Sequence, residues 1–247
     1  MRDFTQPTTC VKLACSALLA SCAAVDPRPD YQRAADAIRA STGSAEVFDP
    51  EVPSLKPEEI RAALADGLGL EEALRLALLN NRRLQAGFYS LGVARADYVQ
   101  SGLMRNPSLS LAFLLPEGGG KPRWGAEIVS SVSDLWEIPL RQKVAGEQLE
   151  QELLELAGFA GELVFRTRTA YFSASAAREM EAVTQESAQL ASRSRDAVAR
   201  RVEAGFATRV EEQLATQLAL SAELDASTAE LFSSRAAREL AALLSLE

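Results

Sequence analysis

Leu149-Glu150-Gln151-Glu152-Leu153-Leu154-Glu155-Leu156-Ala157-Gly158-Phe159-Ala160-Gly161-Glu162-Leu163 opens the pattern that decides the fold. Leu149, Leu153, Leu156, Ala160, Leu163, Thr167, Ala170, Ala174 and Ala177 keep a strict four-three spacing, which is the seam of a coiled-coil helix. From about Arg141 to Ala204 the only breakers are Gly146, Gly158 and Gly161, and there is no proline. Roughly 64 residues at about 1.5 Å each make a helix about 95 Å long, too long for a compact globule of this size.

Gly205-Phe206-Ala207 ends that helix, because glycine takes the left-handed conformation of a helix stop, and Thr208 is placed to cap a second helix reaching Leu246. Ala219, Ala222, Ala226, Ala229, Ser233, Ala236, Leu240 and Leu243 repeat the seam, while Leu220, Leu224 and Leu231 are read as a neighbouring stripe. Two adjacent stripes call for neighbours on both sides, as in a wall of helices more than a simple two-stranded coil.

Upstream, Leu70, Leu74 and Leu78 start the organised region, and Asn80-Asn81 separates that helix from a second running from Arg82 to about Leu103. After Asn106-Pro107 the period becomes two. Leu109, Leu111, Phe113 and Leu115 alternate with Ser108, Ser110 and Ala112, which reads as a strand of about nine residues. Pro116-Glu117-Gly118-Gly119-Gly120-Lys121-Pro122 connects it to the next element. A phosphate loop is rejected there, since Pro122 stands where Ser or Thr belongs and a strand follows. The second strand is expected from about Trp124 to Ile138, with Trp124 and Trp136 on one mostly apolar face. Twelve residues at about 3.3 Å set them roughly 40 Å apart, or about 28 Å along the membrane normal at a 45° tilt, the spacing of two aromatic girdles. Asp134 breaks that face and is expected near the interface beside Trp136.

The N-terminus carries a short apolar run, Leu13 to Ala20, followed by Leu19-Ala20-Ser21-Cys22. Eight residues cannot span a bilayer but suit the core of a secretory signal. The last four residues resemble the lipobox of bacterial lipoproteins, which implies cleavage before Cys22, a lipid on it and, with Ala23 following, the outer membrane. Residues 1-21 are then a signal and 22-66 an extended leader, proline-rich at Asp26-Pro27-Arg28-Pro29, with a short helix from Pro57 to Leu64. Cys10 and Cys15 leave with the signal, so no disulfide is expected in the mature chain.

The composition closes several functional classes. With 247 residues and 47% apolar content the chain is not disordered, and its net charge of −8 argues against a nucleic-acid partner. There are no histidines, which removes Ser-His-Asp and Cys-His catalysis and most zinc hydrolase schemes. No convergent nucleophile, base or metal cluster is found, so neither an enzyme nor a cofactor is expected.

The order helix, strand, glycine-containing loop, strand, very long helix, tight turn, long helix resembles one repeat of the TolC-like outer-membrane efflux factor family. The matching residues are Leu70-Glu71-Glu72-Ala73-Leu74 with Ala77 and Asn80-Asn81, Asn106-Pro107-Ser108-Leu109 at the strand entry, and Arg201-Val202-Glu203-Ala204-Gly205-Phe206-Ala207-Thr208 at the turn, with Glu211 beyond. Arg82 and Arg105 stand where that family often has proline.

The resemblance implies a mainly α chain with a two-stranded transmembrane β-hairpin (106-139), first helices (67-105) and a long antiparallel periplasmic helical hairpin (140-247), one part of an oligomeric α/β barrel. It implies a passive outer-membrane conduit for small molecules or ions, working with a periplasmic adaptor protein and an inner-membrane pump. Arg201, Gly205, Phe206 and Thr208 would meet the adaptor, while Glu203, Glu211 and Glu212 would place negative charge at the tunnel mouth. Family members usually carry two repeats and form trimers; two strands leave open edges in lipid, so a single repeat implies six copies, a second repeat from elsewhere, or a half-length fragment without function of its own. The competing reading is a lipid-anchored periplasmic coiled-coil scaffold or adaptor, which leaves the alternation after Trp124 unused.

Overall fold

The seam is buried from Leu149 to Ala170 and half-buried at Ala174 and Ala177, and it belongs to a helix of 70 residues, Asp134–Glu203. The computed structural model describes residues 24-52, 55-65, 67-114, 121-130 and 133-246. In chain order the elements are α1 (Arg28–Thr42), α2 (Pro57–Ala65), α3 (Leu70–Asn80), α4 (Arg82–Ser101), β1 (Ser108–Leu114), β2 (Arg123–Val129), α5 (Asp134–Glu203) and α6 (Arg209–Leu243). The chain divides into two compact units. One takes residues up to Arg33 with Tyr89–Leu154, the other Ala34–Phe88 with Glu155 onward.

In the second unit, Leu156, Ala160, Leu163, Thr167 and Ala170 of α5 are buried, as are Ala219, Ala229 and Leu240 of α6. Small residues dominate the later part of the α5 seam and the α6 seam from Ala219 to Ala236, which allows close helix approach at the expense of buried area. The core of this unit adds Leu84 and Phe88 of α4, Leu76, Ala77 and Leu78 of α3, and Phe48, whose ring meets Phe88 edge-on at 5.7 Å. Gly87 makes room for α5, since a Cβ there would lie 2.6 Å from Leu156 Cδ1.

Asn80-Asn81 does more than stop a helix. Asn81 Oδ1 accepts hydrogen bonds from the backbone N–H groups of Arg83 and Leu84, capping α4, while its amide donates to the Leu243 carbonyl at 2.8 Å. The Asn80 amide donates to the Leu244 carbonyl at 2.7 Å. Two adjacent amides thereby satisfy carbonyls left without partners at the end of α6.

The structure departs from the sequence reading in two places. The leader is not wholly extended, because residues 28-42 form α1, with Ala34, Ala35 and Ile38 buried. Proline near a helix start costs nothing there, as its missing N–H has no intrahelical acceptor. The short helix expected from Pro57 is present as α2. In the first unit α1 is held by Asp30, buried between Arg33 at 3.5 Å and Arg95 at 3.6 Å, and by Arg33 donating to Glu150 at 2.6 Å.

The second departure is at β2, which ends at Val129 instead of Ile138. Residues 134-138 are the first turns of α5, with the N–H groups of Trp136 and Glu137 bonded to the Ser133 carbonyl. Trp124 and Trp136 therefore do not share a strand, and the distance between them as two girdles of one strand no longer applies. Asp134 is not an exposed interfacial charge; it is 1% exposed and faces Arg105 and Arg141. Ionic pairing of that carboxylate is what an alternation pattern cannot register. Pro139 is tolerated in the second turn of α5 at the loss of one helix bond.

Candidate functional site

Three surfaces carry chemistry a partner could read. The first is the hairpin. β1 and β2 pair antiparallel with Leu109 opposite Ile128, Leu111 opposite Ala126 and Phe113 opposite Trp124, and these pairs share one face. Leu109, Leu111, Phe113, Trp124 and Ile128 are 60% to 75% exposed. The other face pairs Ser110 with Glu127, Ala112 with Gly125 and Leu114 with Arg123. That second face also carries Leu114 and, opposite Ser108, Val129 at its two ends, so the ribbon has one apolar face and one mixed face, and it is unstable alone in water. Residues 115-120, which hold most of the glycine-containing loop, lie outside the described residues.

The second surface is the outer face of the long helices. Leu154, Phe165, Phe172, Val183 and Leu190 of α5 are all exposed. They recur at eleven, seven, eleven and seven residues, so at about 100° per residue they line up roughly opposite the buried seam. On α6, Leu220, Leu224 and Leu231 are likewise exposed, and at about 100° per residue they lie on the side away from its seam and not next to it as the sequence reading placed them. Each long helix is thus apolar on two opposite faces, and the chain covers one of them.

The third surface is the α5–α6 turn. Phe206 N–H bonds the Arg201 carbonyl at 2.7 Å and Gly205 N–H bonds the Val202 carbonyl at 3.0 Å, with Gly205 at φ +77°. That double bond pattern ends a helix with glycine in the left-handed region. Thr208 accepts from Glu211 N–H while Glu211 Oε2 accepts from Thr208 N–H at 2.6 Å, a reciprocal cap. These bonds from Thr208, with Arg201 nearby, hold the Glu211 carboxyl below its ordinary range, so it is charged at neutral pH. Arg201 also donates to the Phe206 carbonyl at 3.3 Å. The turn is closed by these hydrogen bonds, and the Phe206 side chain projects from it at 77% exposure.

Arg201, Gly205, Phe206, Thr208, Glu203, Glu211 and Glu212 are thus brought together at one turn, all exposed except the half-buried Glu212. Trp124 lies on the apolar face of β2, and Trp136, exposed on α5, lies off it. Cys22 lies outside the described residues. Among those residues no helix is long and apolar enough to cross a membrane, and no three acidic or cysteine side chains are placed to hold a metal ion. Sequence reasoning missed the Asp134 cluster and the outer stripe of α5; the stripe was readable from its eleven-seven recurrence.

No protein-family model matches the chain, and no curated protein matches it by sequence. Solved structures do. The fold is similar to a membrane protein from Pseudomonas aeruginosa (TM-score 0.59, 19% identity, 71% of this chain and 44% of that one). It is similar to CusC, described for the conformational changes accompanying folding and transmembrane channel formation (TM-score 0.60, 17% identity, 72% and 44%). It is similar as well to the Campylobacter jejuni CmeC outer membrane channel (TM-score 0.62, 17% identity, 83% and 46%). The chain therefore shares the helix-strand-strand-helix fold of these solved structures over 71% to 83% of its length. It spans less than half the length of each.

Proposed function

We propose that the chain is a repeat unit of an outer-membrane conduit in a tripartite export system, passive in itself and driven by an inner-membrane pump through a periplasmic adaptor. The observation that carries this is the exposed apolar face of the hairpin, Leu109, Leu111, Phe113, Trp124 and Ile128, in a fold shared with outer membrane channels. In lipid that face is the stable one, and the strand edges are satisfied once other repeats close the sheet into a barrel. Closure takes six repeats, as six copies of this chain or as three copies of a two-repeat assembly. The opposed apolar stripes on α5 and α6 supply the lateral contacts of a helical wall.

Cys22 carries the lipid that tethers the leader to the outer membrane. At the other end Arg201, Gly205, Phe206 and Thr208 form the adaptor contact, with Phe206 as the projecting apolar side chain, and Glu203, Glu211 and Glu212 favour cations at the tunnel mouth. A coiled-coil scaffold would use the stripes but gives the hairpin face no partner.

The tip assignment is tested by replacing Phe206 with a benzophenone amino acid in cells that express the system and irradiating. An adduct with a periplasmic adaptor is expected from position 206 and not from Arg238, far along α6. Adduct formation at 238 alone, or with outer-membrane proteins only, contradicts the assignment.

A further inference from the structure

Asp134 is the one nearly fully buried carboxylate at the root of the hairpin among the described residues. Its Oδ2 accepts a hydrogen bond from the Arg105 backbone N–H at 2.8 Å. Its Oδ1 lies 3.6 Å from Arg105 Nε and 3.5 Å from Arg141 Nη2. Arg141 Nη2 in turn reaches the Leu103 carbonyl at 3.5 Å, and Arg105 Nη2 reaches Glu137 Oε2 at 3.4 Å. The segment 103-105 leads into β1, and α5 begins five residues after β2 ends. One cluster on the first turns of α5 therefore grips the segment that feeds the opposite strand.

The cluster is poorly designed for stability alone. Asp134 Oδ1 and Arg141 Nε are both buried without a hydrogen-bond partner, although a guanidinium and a carboxylate can pair at two points. Its bonds go instead to the backbone N–H of Arg105 and the carbonyl of Leu103. Those two groups lie between α4 and β1, outside both elements.

We propose that Asp134, with Arg141 and Arg105, is a latch that sets the direction in which the hairpin leaves the helices by holding both the N–H and the carbonyl side of the segment entering β1. Asp134 is a positioning residue in this role. The latch fixes the root of the hairpin whether or not the apolar face above it meets lipid, so its failure is separable from that of the conduit reading.

Limited trypsin digestion of the full chain reads the latch directly, because Arg105 is itself a cleavage site. Asp134→Asn should speed cleavage after Arg105 about tenfold or more, with cleavage after Arg166 and Arg178 on α5 unchanged. Arg141→Gln, which leaves Asp134 and its bond to the Arg105 N–H in place, should give a smaller increase at the same site. An unchanged rate after Arg105 in Asp134→Asn overturns the latch. Should Asp134→Asn accelerate all three sites, as a globally destabilised chain would, Arg141→Gln decides: acceleration confined to Arg105 supports the latch, and none overturns it.

Discussion

Replacing Phe165 and Phe172 together with glutamate is expected to leave the chain folded and to abolish its lateral association. Both side chains are more than half exposed in the single chain, at 70% and 56%, so folding gains little from them and loses little without them. In a wall of helices each becomes a buried aromatic, and a carboxylate in its place is a buried charge without a partner. Aromatic anchors at the centre of an interface are worth about 2 kcal/mol or more each, and an unpaired charge adds to that. The expected weakening is therefore at least about a thousandfold per contact, using about 1.4 kcal/mol per tenfold. Circular dichroism should show unchanged helicity and sedimentation should show the monomer. Retained assembly would mean the outer stripe of α5 faces solvent in the working protein.

Ile128→Arg should have the other large effect. Ile128 faces Leu109 on the apolar side of the hairpin, where arginine at the bilayer midplane costs about 2–4 kcal/mol, and the cost is repeated in every copy of a barrel. Loss of the protein from the outer-membrane fraction, with normal levels in whole cells, is expected. Glu127→Arg, on the opposite face paired with Ser110, should leave membrane assembly intact and change only what the lumen favours. Equal behaviour of the two variants would remove the distinction between faces on which the membrane assignment stands.

The elements legible in the sequence were those with long repetition. The four-three seam predicted α5 and its buried face, and Gly205 and Thr208 predicted the stop and cap that the backbone bonds display. Shorter elements misled where one residue had two readings. Prolines at 27 and 29 read as an extended leader although proline also opens helices, and the apolar positions Ala34, Ala35 and Ile38 behind them were the better signal. At the end of β2, alternation happened to continue through Asp134, Trp136 and Ile138, although the backbone bonds of Trp136 and Glu137 to the Ser133 carbonyl show that the chain has already turned into a helix, where Asp134 pairs with Arg105 and Arg141. The three surfaces fared differently: the hairpin face and the turn were visible as local patterns, whereas the α5 stripe was present in the sequence as an eleven-seven recurrence, and its exposure in the structure is what separates it from a second core.

Native mass spectrometry of the detergent-extracted protein, expressed with its own N-terminus, tests the central claim most directly because one spectrum reports both copy number and lipid. A ring totalling six repeats, with the mass of a lipid on a chain starting at Cys22, is the predicted result. An unlipidated monomer starting at Met1 would contradict it.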